Sequence, residues 1–204
     1  MEIEWSRLKA WEIKSLGERN AIAIVPIGAT EQHGPHLPVM VDARLAGEVS
    51  LRAARIVAQH KPVVVLPTIW CGMSEHHMSL SGTITLDFAT MAAVVRCVCE
   101  SLLRHGFRRI FVLNGHGGNT AALETIVTEL TVKHRLLPSL IWESTPHASN
   151  RREHPVNCCL AFRMATLGLL SHAAALPAYE HFFFWPKTHN GALMPAKSTR
   201  SHIK

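Results

Sequence analysis

The stretch RRIFVLNGHGGNTAALETIVTELTVKH (108–134) decides the fold. It opens with an apolar run, RRIFVL (108–113), of the kind a fully buried strand presents. NGHGGN (114–119) follows, where three glycines let the backbone turn tightly and approach a ligand closely. Residues 119–134 then carry a helical pattern, with Asn119 placed to cap it. Strand, glycine turn and helix in that order are one half of a parallel β–α–β unit.

Reading outward gives more of the same. AIAIVPI (21–27), PVVVLP (62–67) and SLIW (139–142, after Pro138) are further short apolar runs of β type. Residues 43–60 are helical in pattern, with Leu45, Val49, Leu51 and Ile56 among polar neighbours. Residues 88–105 form a helix with Asp87 at its N-cap and Gly106 closing it. Buried strands alternating with helices predict an α/β fold with a parallel sheet covered on both faces. Its strands' carboxyl ends then share one edge.

Composition narrows the function classes. The 204 residues suit one domain. A 48% hydrophobic and 18% charged chain is globular rather than disordered. The net charge of +6 is scattered in doublets such as Arg108-Arg109 and Arg151-Arg152, so no nucleic-acid partner is expected. The N-terminus is charged and amphipathic rather than a secretory signal, and no apolar run reaches the length of a membrane span. The expectation is a cytoplasmic protein without a membrane partner. Five cysteines show no zinc-ribbon spacing, and Cys97 and Cys99 are expected as buried thiols. Fourteen histidines are the more telling count.

Ligands of parallel α/β folds gather beyond the carboxyl ends of strands. Each apolar run here is followed by an unusual polar cluster: GATEQHGPHLPVMVDA (28–43), WCGMSEHH (70–77), NGHGGN (114–119) and ESTPHA (143–148). Glu31 and His33, two apart, project to one side of an extended chain. A carboxylate with an imidazole suits a divalent cation such as Zn²⁺ or Mn²⁺. Asp42, just before the next helix, reads as cap or as ligand. His116 projects from the glycine turn, which reads as a ligand-bearing loop, a plain turn or a phosphate cradle; no P-loop lysine follows. Trp70 and Trp142 end two of the runs and read as core or pocket residues.

PIGATEQHGPHLPVMVDA, SEHH with the following GT, and NGHGGN together resemble the creatininase family, over about residues 1–148. The resemblance implies a three-layer α/β sandwich with a mainly parallel sheet, and a homo-oligomer, hexameric in relatives. It implies two divalent metals per subunit, Zn²⁺ or else Mn²⁺ or Fe²⁺. Glu31 and His116 would hold one metal and His33 the other, with Asp42 bridging. The implied activity is an amidohydrolase, cleaving a C–N bond of a small cyclic amide, formamide or peptide-like substrate with a metal-activated water. His76, His77 and His147 are the candidate general acids.

The chain departs from the pattern at one ligand. The family's namesake carries a glutamate two residues after the histidine, where this chain has Gly118. Other relatives supply it from a later H-A-G-x-x-E-T-S segment, whose matching position here is Arg152, with Glu153 one residue late. Glu153 is thus the fifth candidate metal ligand. A non-catalytic member binding one metal or a small ligand is the alternative. Residues 149–204, including a possible helix over 156–175, read as a divergent or truncated C-terminal part of the domain.

Overall fold

The computed structural model describes residues 1–134 in full and the strand at 141–143 by its backbone. His147, Arg152, Glu153 and the expected helix at 156–175 lie outside the described residues, as do the side chains of Trp142 and Glu143. Helix α1 (Ala10–Glu18) is followed by β1 (Ile22–Ile27), α2 (Val41–Val57), β2 (Val63–Val65), α3 (Phe88–Arg104), β3 (Arg109–Asn114), α4 (Thr120–His134) and β4 (Ile141–Glu143). The four strands pair in the order β2-β1-β3-β4, every pairing parallel.

Alternation along the strands sorts the core into two faces. Ala23, Val25 and Ile27 of β1, with Ile110 and Val112 of β3, pack against α3 and α4 through Met91, Val95, Leu102, Leu123 and Ile126. Ile22 and Ile24, with Phe111 and Leu113, face α2 through Ala46, Ala54 and Val57. Both faces of the sheet are therefore covered, which explains why its strands read as unbroken apolar runs. The architecture is the expected three-layer α/β sandwich.

Helix ends follow local chemistry. The Asp87 carboxylate accepts from the Thr90 amide at 2.7 Å, capping α3. At the other end Gly106 adopts φ +91°. Its amide and that of Phe107 donate to Leu103 and Leu102, a left-handed glycine cap closed by a fully buried phenylalanine. Two sequence expectations change. Helix α2 begins at Val41, so Asp42 lies inside its first turn, and the N-cap position belongs to Met40, which makes no side-chain cap bond. Cys97 is exposed and only Cys99 is buried, because the two are too close in sequence to share one helix face.

The topology also selects a place for a site. From β1 the chain crosses through α2 on one face to β2; from β3 it crosses through α4 on the opposite face to β4. β1 and β3 are neighbours, so their outgoing loops diverge and leave a crevice at their carboxyl ends. Gly28 closes the crevice floor. A Cβ there would sit 2.5 Å from the backbone N and Cα of Ala43, in the first turn of α2. Gly28→Ala is expected to push α2 from β1 and to lower stability by about 1–3 kcal/mol in urea unfolding followed by circular dichroism.

Candidate metal centre

Four carboxylate and imidazole side chains meet in that crevice. Glu31 and His33 come from the loop after β1, Asp42 from α2 and His116 from the turn after β3. The loop is held on both sides: the Glu31 amide donates to Val39 O at 2.9 Å, and the Gln32 amide donates to Thr83 Oγ1 at 3.3 Å. Glu31, Asp42 and His116 are buried. Asp42 divides its carboxylate, with Oδ1 3.1 Å from His33 Nε2 and Oδ2 2.8 Å from His116 Nδ1. Asp42 lies inside the first turn of α2 and turns its carboxylate to both imidazoles.

Both imidazoles face acceptors on each side, and His116 has in addition the Ser74 hydroxyl. His33 Nδ1 faces the Glu31 carbonyl at 3.1 Å while Nε2 faces Asp42. His116 Nε2 faces the Met73 carbonyl at 3.1 Å and Glu31 Oε2 at 3.4 Å, with Ser74 Oγ at 3.3 Å. A neutral imidazole carries one proton and one lone pair, so it cannot satisfy acceptors on both sides. For His33 a cation on the ring would resolve this, while His116 can also accept from the Ser74 hydroxyl. Burial works to lower the His116 pKa, but the bond to Asp42, the Met73 carbonyl and the charges of Glu31 and Asp42 outweigh it and leave the value raised. Glu31 Oε2, buried, has no hydrogen-bond partner. A buried carboxylate oxygen without a donor is costly unless a cation compensates it. These donors fit a borderline divalent cation.

Asn119 builds the floor. Its side chain is fully buried. Oδ1 accepts from the Met73 amide at 2.9 Å, and Nδ2 donates to the Gly28 carbonyl at 3.0 Å and to Asn114 Oδ1 at 3.3 Å. It ties three of the converging segments together and is not free to cap α4, contrary to the sequence expectation. Asn114 in turn holds His116 by exchanging bonds with its amide and carbonyl, at 3.1 and 2.8 Å.

His76 and His77 ride on a one-turn 3₁₀ helix, Glu75–His77. His77 Nε2 points at Glu31 Oε1 from 3.8 Å. Its tautomer is fixed by Gln32: the Gly34 amide donates to Gln32 Oε1 at 2.9 Å, so Gln32 Nε2 must donate to His77 Nδ1, 3.3 Å away. The His77 proton therefore sits on Nε2, toward the centre. His76 is exposed, its ring parallel to that of His116 at 5.9 Å. Ligand atoms of Glu31, His33 and Asp42 lie within 4.8 Å of one another, as do those of Glu31, His76 and His116. The expected four residues are thus brought together; the place of His76 among them was not legible in the sequence.

Two outcomes follow. Asn119→Ala strands the Met73 amide and the Gly28 carbonyl and is expected to cost at least about 2 kcal/mol in chemical denaturation. The second concerns pH. A raised folded-state pKa means that protonated His116 stabilises the metal-stripped protein fully below the ordinary imidazole value of 6.5, and that this contribution is lost as pH rises through the folded value. Melting temperature in chelator is expected to fall over that rise. Added Zn²⁺ should reverse the trend, because a metal takes the neutral ring.

Comparison with known proteins agrees with this geometry. The family model described as creatinine amidohydrolase matches residues 6–181. The chain is 34% identical over 137 residues to the mycofactocin precursor peptide peptidase of Mycolicibacterium smegmatis, covering 63% of this chain and 54% of that protein. It is 32% identical over 124 residues to creatinine amidohydrolase of Pseudomonas putida, covering 58% and 45%. A crystal structure of creatinine amidohydrolase superposes with a TM-score of 0.62 at 26% identity, over 70% of this chain and 57% of that one. The chain spans about half the length of the curated relatives it matches. It belongs to the creatininase family.

Proposed function

We propose that the chain is a metal-dependent amidohydrolase that cleaves a C–N bond in a small cyclic amide, a formamide or a peptide-like substrate. The observation that carries this reading is the convergence of Glu31, His33, Asp42 and His116 in one crevice, with a buried Glu31 oxygen that has no hydrogen-bond partner. Glu31 and His116 would hold one divalent metal and His33 a second, with Asp42 offering one oxygen to each side. Creatininases of the same fold have been solved in Zn–Zn and Mn forms, which puts Zn²⁺ or Mn²⁺ first among the candidates. Such a centre, when loaded, lowers the pKa of water and polarises a carbonyl. The relatives' substrates, creatinine and a precursor peptide among them, share a carbonyl attached to nitrogen.

The residues around the centre have their own tasks. His77 presents an Nε2 proton toward Glu31 and is our first choice for protonating the departing nitrogen. Gln32 keeps that proton in place. Glu31, when deprotonated, can accept a proton from water on its free side. His147 and Glu153 remain candidates as further acid and ligand, on sequence alone. A small-molecule substrate, a homo-oligomeric state and the cytoplasm complete the reading, with the family likeness as support.

A second reading has its own observation. Arg152 stands where relatives bring a carboxylate, and a cation there opposes metal binding. A member degenerate in this way would hold a single metal and turn nothing over. Metal analysis of the full chain, coupled to a panel of a cyclic amide, a formamide and a short peptide, separates the two. The amidohydrolase reading expects two metals per chain, hydrolysis lost with chelator, and no activity in His116→Ala. His77→Gln should retain metal and lose about 10²–10⁴-fold in rate. One metal and no turnover would favour the degenerate form; no metal at all would sink the amidohydrolase reading and leave the degenerate form only as a binder of a small ligand.

A further inference from the structure

Beyond Glu31, His116 and the Asp42 carboxylate shared between the two positions, the first metal position has room for a further protein ligand. We infer that His76 is that ligand, adding a second imidazole nitrogen to Glu31 and His116 at the first metal position. This inference rests on the metal-centre reading above and names a residue within it. Three observations carry it. Ligand atoms of the three residues lie within 4.8 Å of one another. Glu31 Oε2, buried and unpartnered, faces His116 Nε2 at 3.4 Å. The third is the space above Gly118.

A Cβ on Gly118 would lie 2.4 Å from His116 Nε2, 2.5 Å from the Met73 carbonyl oxygen and 3.1 Å from His76 Cε1. That one point touches Nε2 of His116 and the edge of His76 between its two nitrogens. Glycine leaves it open, and any side chain on this backbone would fill it. His76 is exposed, whereas Glu31 and His116 are buried, so the position is buried on one side and open to solvent on the other. An open coordination position on the solvent side is what a substrate or water requires.

Glu31 also belongs to the group with His33 and Asp42, which places the second metal position on its other flank. His76 adds a nitrogen at the first position, and the carboxylate that relatives bring is missing from the second. A ligand at 118 is excluded by the glycine, and Arg152 offers a cation where relatives bring a carboxylate.

The test is Zn²⁺ titration of the chelator-stripped full chain by calorimetry, with Co²⁺ absorption spectra as a reporter of coordination. The wild type is compared with His76→Ala, His76→Asp and Gly118→Ala. His76 is exposed, so the stripped alanine variant should melt as the wild type does. Expected is loss of one Zn²⁺ equivalent, or about tenfold or greater weakening of it, in His76→Ala, with a changed Co²⁺ spectrum. Partial recovery in His76→Asp and loss of the same equivalent in Gly118→Ala should accompany it. If His76→Ala matches the wild type in stoichiometry, affinity and spectrum, the inference is wrong while the metal-centre reading stands. If the wild type itself takes up no Zn²⁺, both fall.

Discussion

Everything at this centre depends on one electrostatic constraint: two buried carboxylates, Glu31 and Asp42, sit against the imidazoles of His33 and His116. Asp42 is satisfied only because His33 and His116 approach it from opposite sides. Glu31 keeps one oxygen without any donor. A fold would gain stability by replacing such a group with an apolar side chain of similar size. Keeping it is intelligible when a cation joins the cluster, since attraction between opposite charges strengthens as water is excluded. The raised pKa of His116 is the same constraint seen from the ring: a proton is the poorer substitute for a metal in that position.

The sheet makes the constraint affordable by locating it at one edge. The strands are spent on packing, with alternate residues of β1 and β3 committed to opposite cores. Polar side chains can gather only where the strands end. The divergence of α2 and α4 opens the crevice there, and Gly28 and Gly115 let α2 come close enough to deliver Asp42. Asn119 fixes the spacing by bonding to groups from the loops after β1, β2 and β3. Packing and site geometry are therefore coupled through the same few backbone contacts.

How much of this was legible in the sequence depends on the range of the interaction. The strands, α3 and its two caps follow from patterns within a few residues, and they were readable. So were Glu31, His33 and His116, because strand ends are where polar clusters stand out against apolar runs. Asn119 was misread as a helix cap, because its partners Met73 and Gly28 are 46 and 91 residues away. Asp42 left cap and ligand open for a related reason: a carboxylate near a helix start suits both roles locally, and its partners His33 and His116 come from other segments. The tautomer of His77 needed Gly34, Gln32 and His77 together, a chain of bonds that no motif encodes.

Gly118 shows how a single missing side chain reads differently in sequence and in space. In the sequence it is a lost ligand, since the family's namesake has a glutamate there. In space it is an opening, bordered by His116 Nε2 and His76 Cε1, that a side chain on this backbone would occupy. A ligand projecting from 118 and one arriving from the 3₁₀ turn at Glu75–His77 would compete for the same volume. A chain that keeps the glycine therefore has to bring its ligand from a neighbouring segment, and the exposed imidazole of His76 stands at the rim of that opening.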